Sequence, residues 1–245
     1  MCKQIQLITF CSFVLLACSP AKQVSSTGYH SIFDGKTLDG WDGDHRYWRV
    51  ENGILTGEVK PETILKQNTF LIYRKAQPAD FELKVEYRIS ANGNSGVNYR
   101  SILVDSIPFA LKGYQADLDG KDKYNLGYPR HTGQNYEERG RQFLATRGQR
   151  MMIENGKPPV FIDSTGRRAD LLKAINFEGW NQLQIIAKGN NLKHYINGVL
   201  MSEVTDNDAA NRKMQGLIGV QVHVGPPMKI EYRNFLLKEL DSKSL

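Results

Sequence analysis

The chain has 245 residues, with 32 Lys and Arg against 26 Asp and Glu and a formal net charge of +6. The basic residues are scattered, with no zinc-finger spacing and no basic-aromatic platform, which argues against a nucleic-acid partner. Cys2, Cys11 and Cys18 all fall in the first 18 residues, so the rest of the chain has no disulfide, thiolate metal site or cysteine nucleophile.

Lys3 followed by the mostly apolar residues 5–17 has the form of a signal peptide, since that run is too short to span a bilayer comfortably. Residues 15–18 (Leu-Leu-Ala-Cys) match the bacterial lipobox pattern, in which small residues precede a cysteine that becomes lipidated. The expectation is a signal peptide over residues 1–18 with lipidation at Cys18, a small polar tether over 19–28, and one β-sandwich domain over 29–241. Such a protein sits in the bacterial cell envelope, facing the periplasm or the cell surface, and meets the membrane through its acyl chains only.

Strand signals follow. Residues 50–55 contain Asn52-Gly53, the pair favoured in a two-residue hairpin turn because both positions need positive φ. In Phe81–Ile89, Phe81, Leu83, Val85, Tyr87 and Ile89 alternate with charged residues, so one face meets a core and the other water. The segment 120–150 lacks periodicity, and its aromatics predict an ordered loop system over one end or face of the domain. A turn is expected near 169–174 and a short helix near 208–213. Strands are expected at 183–187, 192–196, 217–224 and 230–237, with Asn197-Gly198 making a second hairpin turn. Many short strands separated by turn residues predict an all-β, antiparallel two-sheet sandwich of jelly-roll type.

Two strand-like stretches carry polar residues at regular parity. Asn98 and Arg100 share one face of 94–100, and Gln115 and Asp117 share one face of 113–119. An amide, a guanidinium and a carboxylate on neighbouring strands make a surface suited to hydroxyl-rich ligands; the alternative is a solvated outer face. Gln221 and His223 repeat the pattern in 219–224, where His223 is either an acid/base or metal ligand or a satisfied buried imidazole. Residues 136–141 (Tyr-Glu-Glu-Arg-Gly-Arg) add Tyr136, the carboxylates Glu137 and Glu138, and the guanidinium groups of Arg139 and Arg141. The Glu-x-Asp-x-x-Glu run of retaining glucanases is absent, as are a Gly-x-Ser-x-Gly elbow and a phosphate-binding loop.

Several pieces, in order, resemble the bacterial 3-keto-disaccharide hydrolase family, also described as 3-keto-glucoside lyase/hydratases. They are residues 32–41 (IFDGKTLDGW), 48–53 (WRVENG), 80–83 (DFEL), 86–88 (EYR), 94–96 (NSG) with Arg100, and 113–115 (GYQ). Residues 136–141, 180–181 (WN), 197–198 (NG), 219–223 (GVQVH) and 232–234 (YRN) complete the set. The resemblance implies a concanavalin-like lectin/glucanase sandwich acting on an oxidised oligosaccharide or glycoside with a ketone at C3. Elimination across C1 and C2 followed by hydration needs a base, an enolate stabiliser and sometimes a divalent metal. On that reading Asp117, Glu138 or His223 serves as base or ligand and Arg100 or Arg141 as stabiliser, with Asn98, Gln115, Tyr136 and Gln221 binding substrate. The competing reading is a noncatalytic carbohydrate-binding lipoprotein on the same fold.

Overall fold

The computed structural model describes residues 28–121, 132–177 and 179–241. The expected signal segment with Cys18, nearly all of the tether and part of the 120–150 segment lie outside them. In chain order the strands are β1 (His30–Ser31), β2 (Trp41–Asp42), β3 (Trp48–Glu51), β4 (Ile54–Val59), β5 (Thr69–Tyr73), β6 (Phe81–Ile89), β7 (Asn94–Leu103), β8 (Leu111–Asp119) and β9 (Asn135–Glu138). They continue with β10 (Gln142–Ala145), β11 (Gln149–Ile153), β12 (Val160–Ser164), β13 (Asn181–Lys188), β14 (Asn191–Ile196), β15 (Val199–Asp206), β16 (Leu217–Val222) and β17 (Met228–Glu239).

Among the described residues these strands form two sheets. One runs β12-β11-β15-β14-β13-β6-β17-β4-β3, with β1 also paired to β17; the other runs β10-β9-β8-β7-β16-β5-β2. Pairing is antiparallel except between β11 and β15. The jelly-roll sandwich read from the strand pattern is therefore the observed architecture.

Asn52 and Gly53 adopt φ of 50° and 80°, and Asn197 and Gly198 adopt 50° and 79°, so both Asn-Gly pairs close hairpins as expected. In β6, Phe81, Leu83, Val85 and Tyr87 are buried against the opposite sheet, while the intervening charged residues are only partly covered. Facing them across the core, β8 buries Tyr114, Ala116 and Leu118, while β17, beside β6 in the same sheet, buries Ile230, Tyr232, Phe235 and Leu237. Each such apolar side chain contributes about 1.5–3 kcal/mol relative to exposure.

Two local expectations are corrected. The helix lies at Arg168–Leu172 (α1), where a turn was expected. Residues 208–213 make a turn instead, closed by Asn211 and Arg212 amides donating to the Asp208 carbonyl. The Asp208 carboxylate accepts from Asn211 Nδ2, a side-chain bond that favours a turn over a continuing helix. The segment after residue 131 is also more regular than its sequence implies. It supplies β9 and β10, which extend the second sheet at its edge.

Candidate active site

β8 is the strand that builds the site. Tyr114, Ala116 and Leu118 point into the sandwich, so Gln115, Asp117 and Asp119 point to the other face, and all six are buried. In register with them, Gln115 lies between Asn98 on β7 and Tyr136 on β9, and Gly113 lies opposite Glu138. β7, β8, β9 and β16 thereby present one polar face outward.

A cleft of about 750 Å³ opens on that face, with Asn94, Gln115, Asp117, Tyr136, Glu138, Arg139, Phe143 and His223 in its lining. Lys66, Gln67 and Asn68, from the loop before β5, form part of one wall. Tyr136 and Phe143 meet edge-to-face with ring centroids 5.3 Å apart, giving the cleft an aromatic side.

Asp117 is held on both carboxyl oxygens. Gln115 Nε2 donates to Oδ1 at 2.6 Å and Gln134 Nε2 donates to Oδ2 at 2.9 Å. Burial pushes the Asp117 carboxyl well above its ordinary range, and the nearby charges of Glu138 and Asp119 add to the effect against those two amides. Gln221 Nε2 donates to Gln115 Oε1 at 3.2 Å and approaches Glu138 Oε2 at 3.5 Å. An amide chain, Gln115 and Gln221, therefore spans the two carboxyl groups.

Glu138 has different company. Its Oε1 accepts from Asn68 Nδ2 at 3.3 Å and is ion-paired with the Arg139 guanidinium. Asn68 is fixed in turn by the Val224 amide, which donates to its Oδ1 at 2.9 Å. His223 follows the end of β16, and its ring Nδ1 is bonded to the Val224 carbonyl, which leaves Nε2 toward other partners.

Behind the cleft, His194 is fully buried and its pKa is lowered to about 3 by that burial. The neutral ring donates from Nδ1 to the Gln134 carbonyl at 3.1 Å and accepts from the Tyr99 hydroxyl at Nε2, 2.9 Å away. This pair braces the backbone of the residue whose side chain grips Asp117.

Gly96, opposite Asp117 on β7, lets the Gln115 side chain lie across the strand. A Cβ at that position would stand 2.6 Å from Gln115 Cγ and Cδ. Gly96→Ala is expected to push Gln115 off Asp117 and lower kcat/KM on the order of tenfold to a hundredfold. Steady-state kinetics with a parallel melt checks this, and unchanged kcat/KM would refute the role given to Gln115.

The residues singled out from the sequence thus divide. Asp117, Glu138, His223, Gln115 and Tyr136 converge on the cleft, and Gln221 bonds to two of them from below. Asn98 lies in the same cross-strand row but is fully buried, and it does not reach the cleft.

Arg100 and Arg141 lie elsewhere. Arg100 has φ of 45° at a register shift between Tyr99 and Ile102, a β-bulge that breaks the alternation expected to aim it outward. Its guanidinium instead donates to the Ala79 and Gly189 carbonyls and pairs with Asp80 at 3.0 Å. Arg141 is bonded to Asp206 by both terminal nitrogens, at 3.0 and 2.6 Å, and by Nε to Glu137. In their place the cleft receives Arg139.

Asn68 and Gln134 carried no usable signal. Asn68 precedes the apolar run of β5 without alternation, and Gln134 sits in the aperiodic segment. Only its adjacency to the Asn-Tyr-Glu-Glu parity of β9 marks Gln134 out.

Among the described residues no three His, Cys, Asp or Glu side chains are gathered to hold a metal ion. This donor set does not fit a metal centre, and no step below runs through one.

Comparison with known proteins agrees with the resemblance read from the sequence. A candidate glycosyl hydrolase from Parabacteroides distasonis superposes with a TM-score of 0.57 at 16% identity, covering 86% of this chain and 99% of that one. A protein of unknown function with a galectin-like fold from Bacillus subtilis superposes with a TM-score of 0.52 at 13% identity, covering 82% and 90%. These likenesses establish the shared fold. A 3-keto-disaccharide hydrolase of Bacteroides thetaiotaomicron is 33% identical over 106 residues, which is 40% of this chain and 33% of that protein, so the match spans about a third of the relative's length. The model of the 3-keto-alpha-glucoside-1,2-lyase-like domain matches residues 28–238, nearly every position described above, and the chain belongs to that family.

Proposed function

We propose that this chain cleaves the glycosidic bond of 3-keto-glycosides, 3-keto-disaccharides included, by elimination followed by hydration. The observation that carries this reading is the pair of carboxyl groups in one cleft with opposed surroundings: Asp117 buried and gripped by amides, Glu138 ion-paired with Arg139. Environments that separate two carboxyl groups in this way assign one to acid and the other to base chemistry.

A ketone at C3 acidifies the C2 proton. Glu138 removes it, and the electron pair moves into an enolate whose oxygen faces the Arg139 guanidinium. The enolate re-forms the ketone as the C1–O bond breaks and a C1–C2 double bond forms. The leaving oxygen takes its proton from Asp117, which burial keeps loaded. In the second half, the Asp117 carboxylate accepts a proton from the water that adds to C1, and Glu138 returns a proton to C2. Atoms balance to net hydrolysis, and both carboxyl groups regain their starting states.

The test is a panel of 3-keto-glucosides beside their unoxidised parents, in deuterated water. The expected result is release of the aglycone from keto substrates only, with deuterium at C2 of the product. Glu138→Gln is expected to lower kcat by about 10²- to 10⁴-fold. Equal cleavage of unoxidised glucosides, or no slowing of cleavage in the Glu138→Gln chain, would rule the mechanism out.

A further inference from the structure

Lys66 and Gln67 line the cleft on one side and a second cavity, of about 390 Å³, on the other. The two cavities differ in chemistry. Carboxyl and amide side chains make up half of the first lining, whereas Tyr47, Ile64, Leu65, Pro108 and Phe109 make up half of the second. On its rim Arg46 Nη2 pairs with Asp44 at 2.5 Å, and the guanidinium lies 5.5 Å from the centroid of the Tyr47 ring. A hexose placed there would surrender water hydrogen bonds for hydrocarbon contacts, which disfavours a second sugar.

Two details point to occupancy rather than packing. Ile64 is 50% exposed on this wall, so its side chain is accessible to an apolar group entering the cavity. Phe109 holds φ of 52°, and its carbonyl accepts from the Phe70 amide at 2.9 Å. A bulky residue in the left-handed region persists only where its surroundings fix it, and such residues gather at ligand clamps.

We propose that the second cavity receives the leaving group of the substrate and that this group is an aryl ring. The inference rests on the keto-glycoside reading and extends it, since it names which glycosides the chain prefers. The keto sugar occupies the cleft over Asp117 and Glu138, and the aglycone crosses the Lys66–Gln67 wall to lie against Ile64, Tyr47 and Phe109.

The experiment uses the Glu138→Gln chain with phenyl, methyl and glucosyl 3-keto-glucosides as probes, read by calorimetry and by NMR of isoleucine methyl groups. The phenyl probe is expected to bind roughly tenfold more tightly than either of the others, the scale of discrimination an apolar pocket offers. It is also expected to shift the Ile64 methyl resonance, which the methyl probe leaves in place. Adding Ile64→Asp is expected to erase the phenyl preference. Equal affinity for all three probes, or phenyl binding that leaves Ile64 unmoved, overturns the aryl assignment and leaves the keto-glycoside reading intact. Absence of binding by every probe, with no turnover by the unsubstituted chain, overturns both.

Discussion

Asp117→Asn is expected to lower kcat by about 10²- to 10⁴-fold and, at neutral pH, to raise the melting temperature. The two effects share one cause. Burial, reinforced by Glu138 and Asp119, holds the Asp117 carboxyl well above its ordinary range, so the folded protein binds a proton that the unfolded chain has released. A carboxyl raised on folding stabilises most below its unfolded pKa of about 3.9, and that contribution is lost as pH rises toward the folded value. Asparagine keeps the shape and never charges, so it removes this loss together with the transferable proton. Melts from pH 4 to pH 8 check the sign. The parent chain should lose stability relative to the variant across that range, and a variant that stays the less stable of the two at pH 8 would contradict the protonation assigned to Asp117.

Arg141→Met is expected to cost about 3–5 kcal/mol, the scale for leaving buried charges without their partner. For a chain of this size that is a fall in melting temperature on the order of 10 °C. The Arg141 guanidinium faces Glu137, Asp206 and Asp208, whose side chains are 3%, 1% and 2% exposed. Burial pushes its pKa down, but Asp206 and Glu137 more than offset that and hold it above the usual guanidinium value. The Tyr114 hydroxyl donates to Asp206 as well, so removing Arg141 strands a hydrogen-bonded carboxylate inside the sandwich. Adding Asp206→Asn to the variant should recover part of the loss, because it removes one of the stranded charges. A single variant that melts within a degree or two of the parent would show that the network holds little.

The same hairpin explains which site residues the sequence displayed. Tyr136 and Glu138 alternate with Glu137 on β9, so two reach the cleft while Glu137 turns inward. Arg139 at φ 54° and Gln142 at φ 66° reverse the chain, which places Arg139 with Glu138 and returns Arg141 to Glu137. Parity read along 113–119 put Gln115 and Asp117 on one face, and β8 keeps that alternation. It misplaced Arg100 because a bulge built on an ordinary residue, rather than glycine, leaves no mark in composition. Choosing between Arg139 and Arg141 required the turn geometry, which an aperiodic charged run does not disclose. The fold itself was more legible, since Phe81–Ile89 and the two Asn-Gly turns each obey a local rule that the tertiary structure preserves.

β1, the first described strand, joins β17 in the layer that does not carry the cleft. The described part of the chain therefore begins on the far side of the sandwich from the mouth. A bead or an affinity handle joined directly at Gly28 would hold the molecule by its back, leaving the opening free. A bulky fusion inserted between β9 and β10 would instead stand in the doorway.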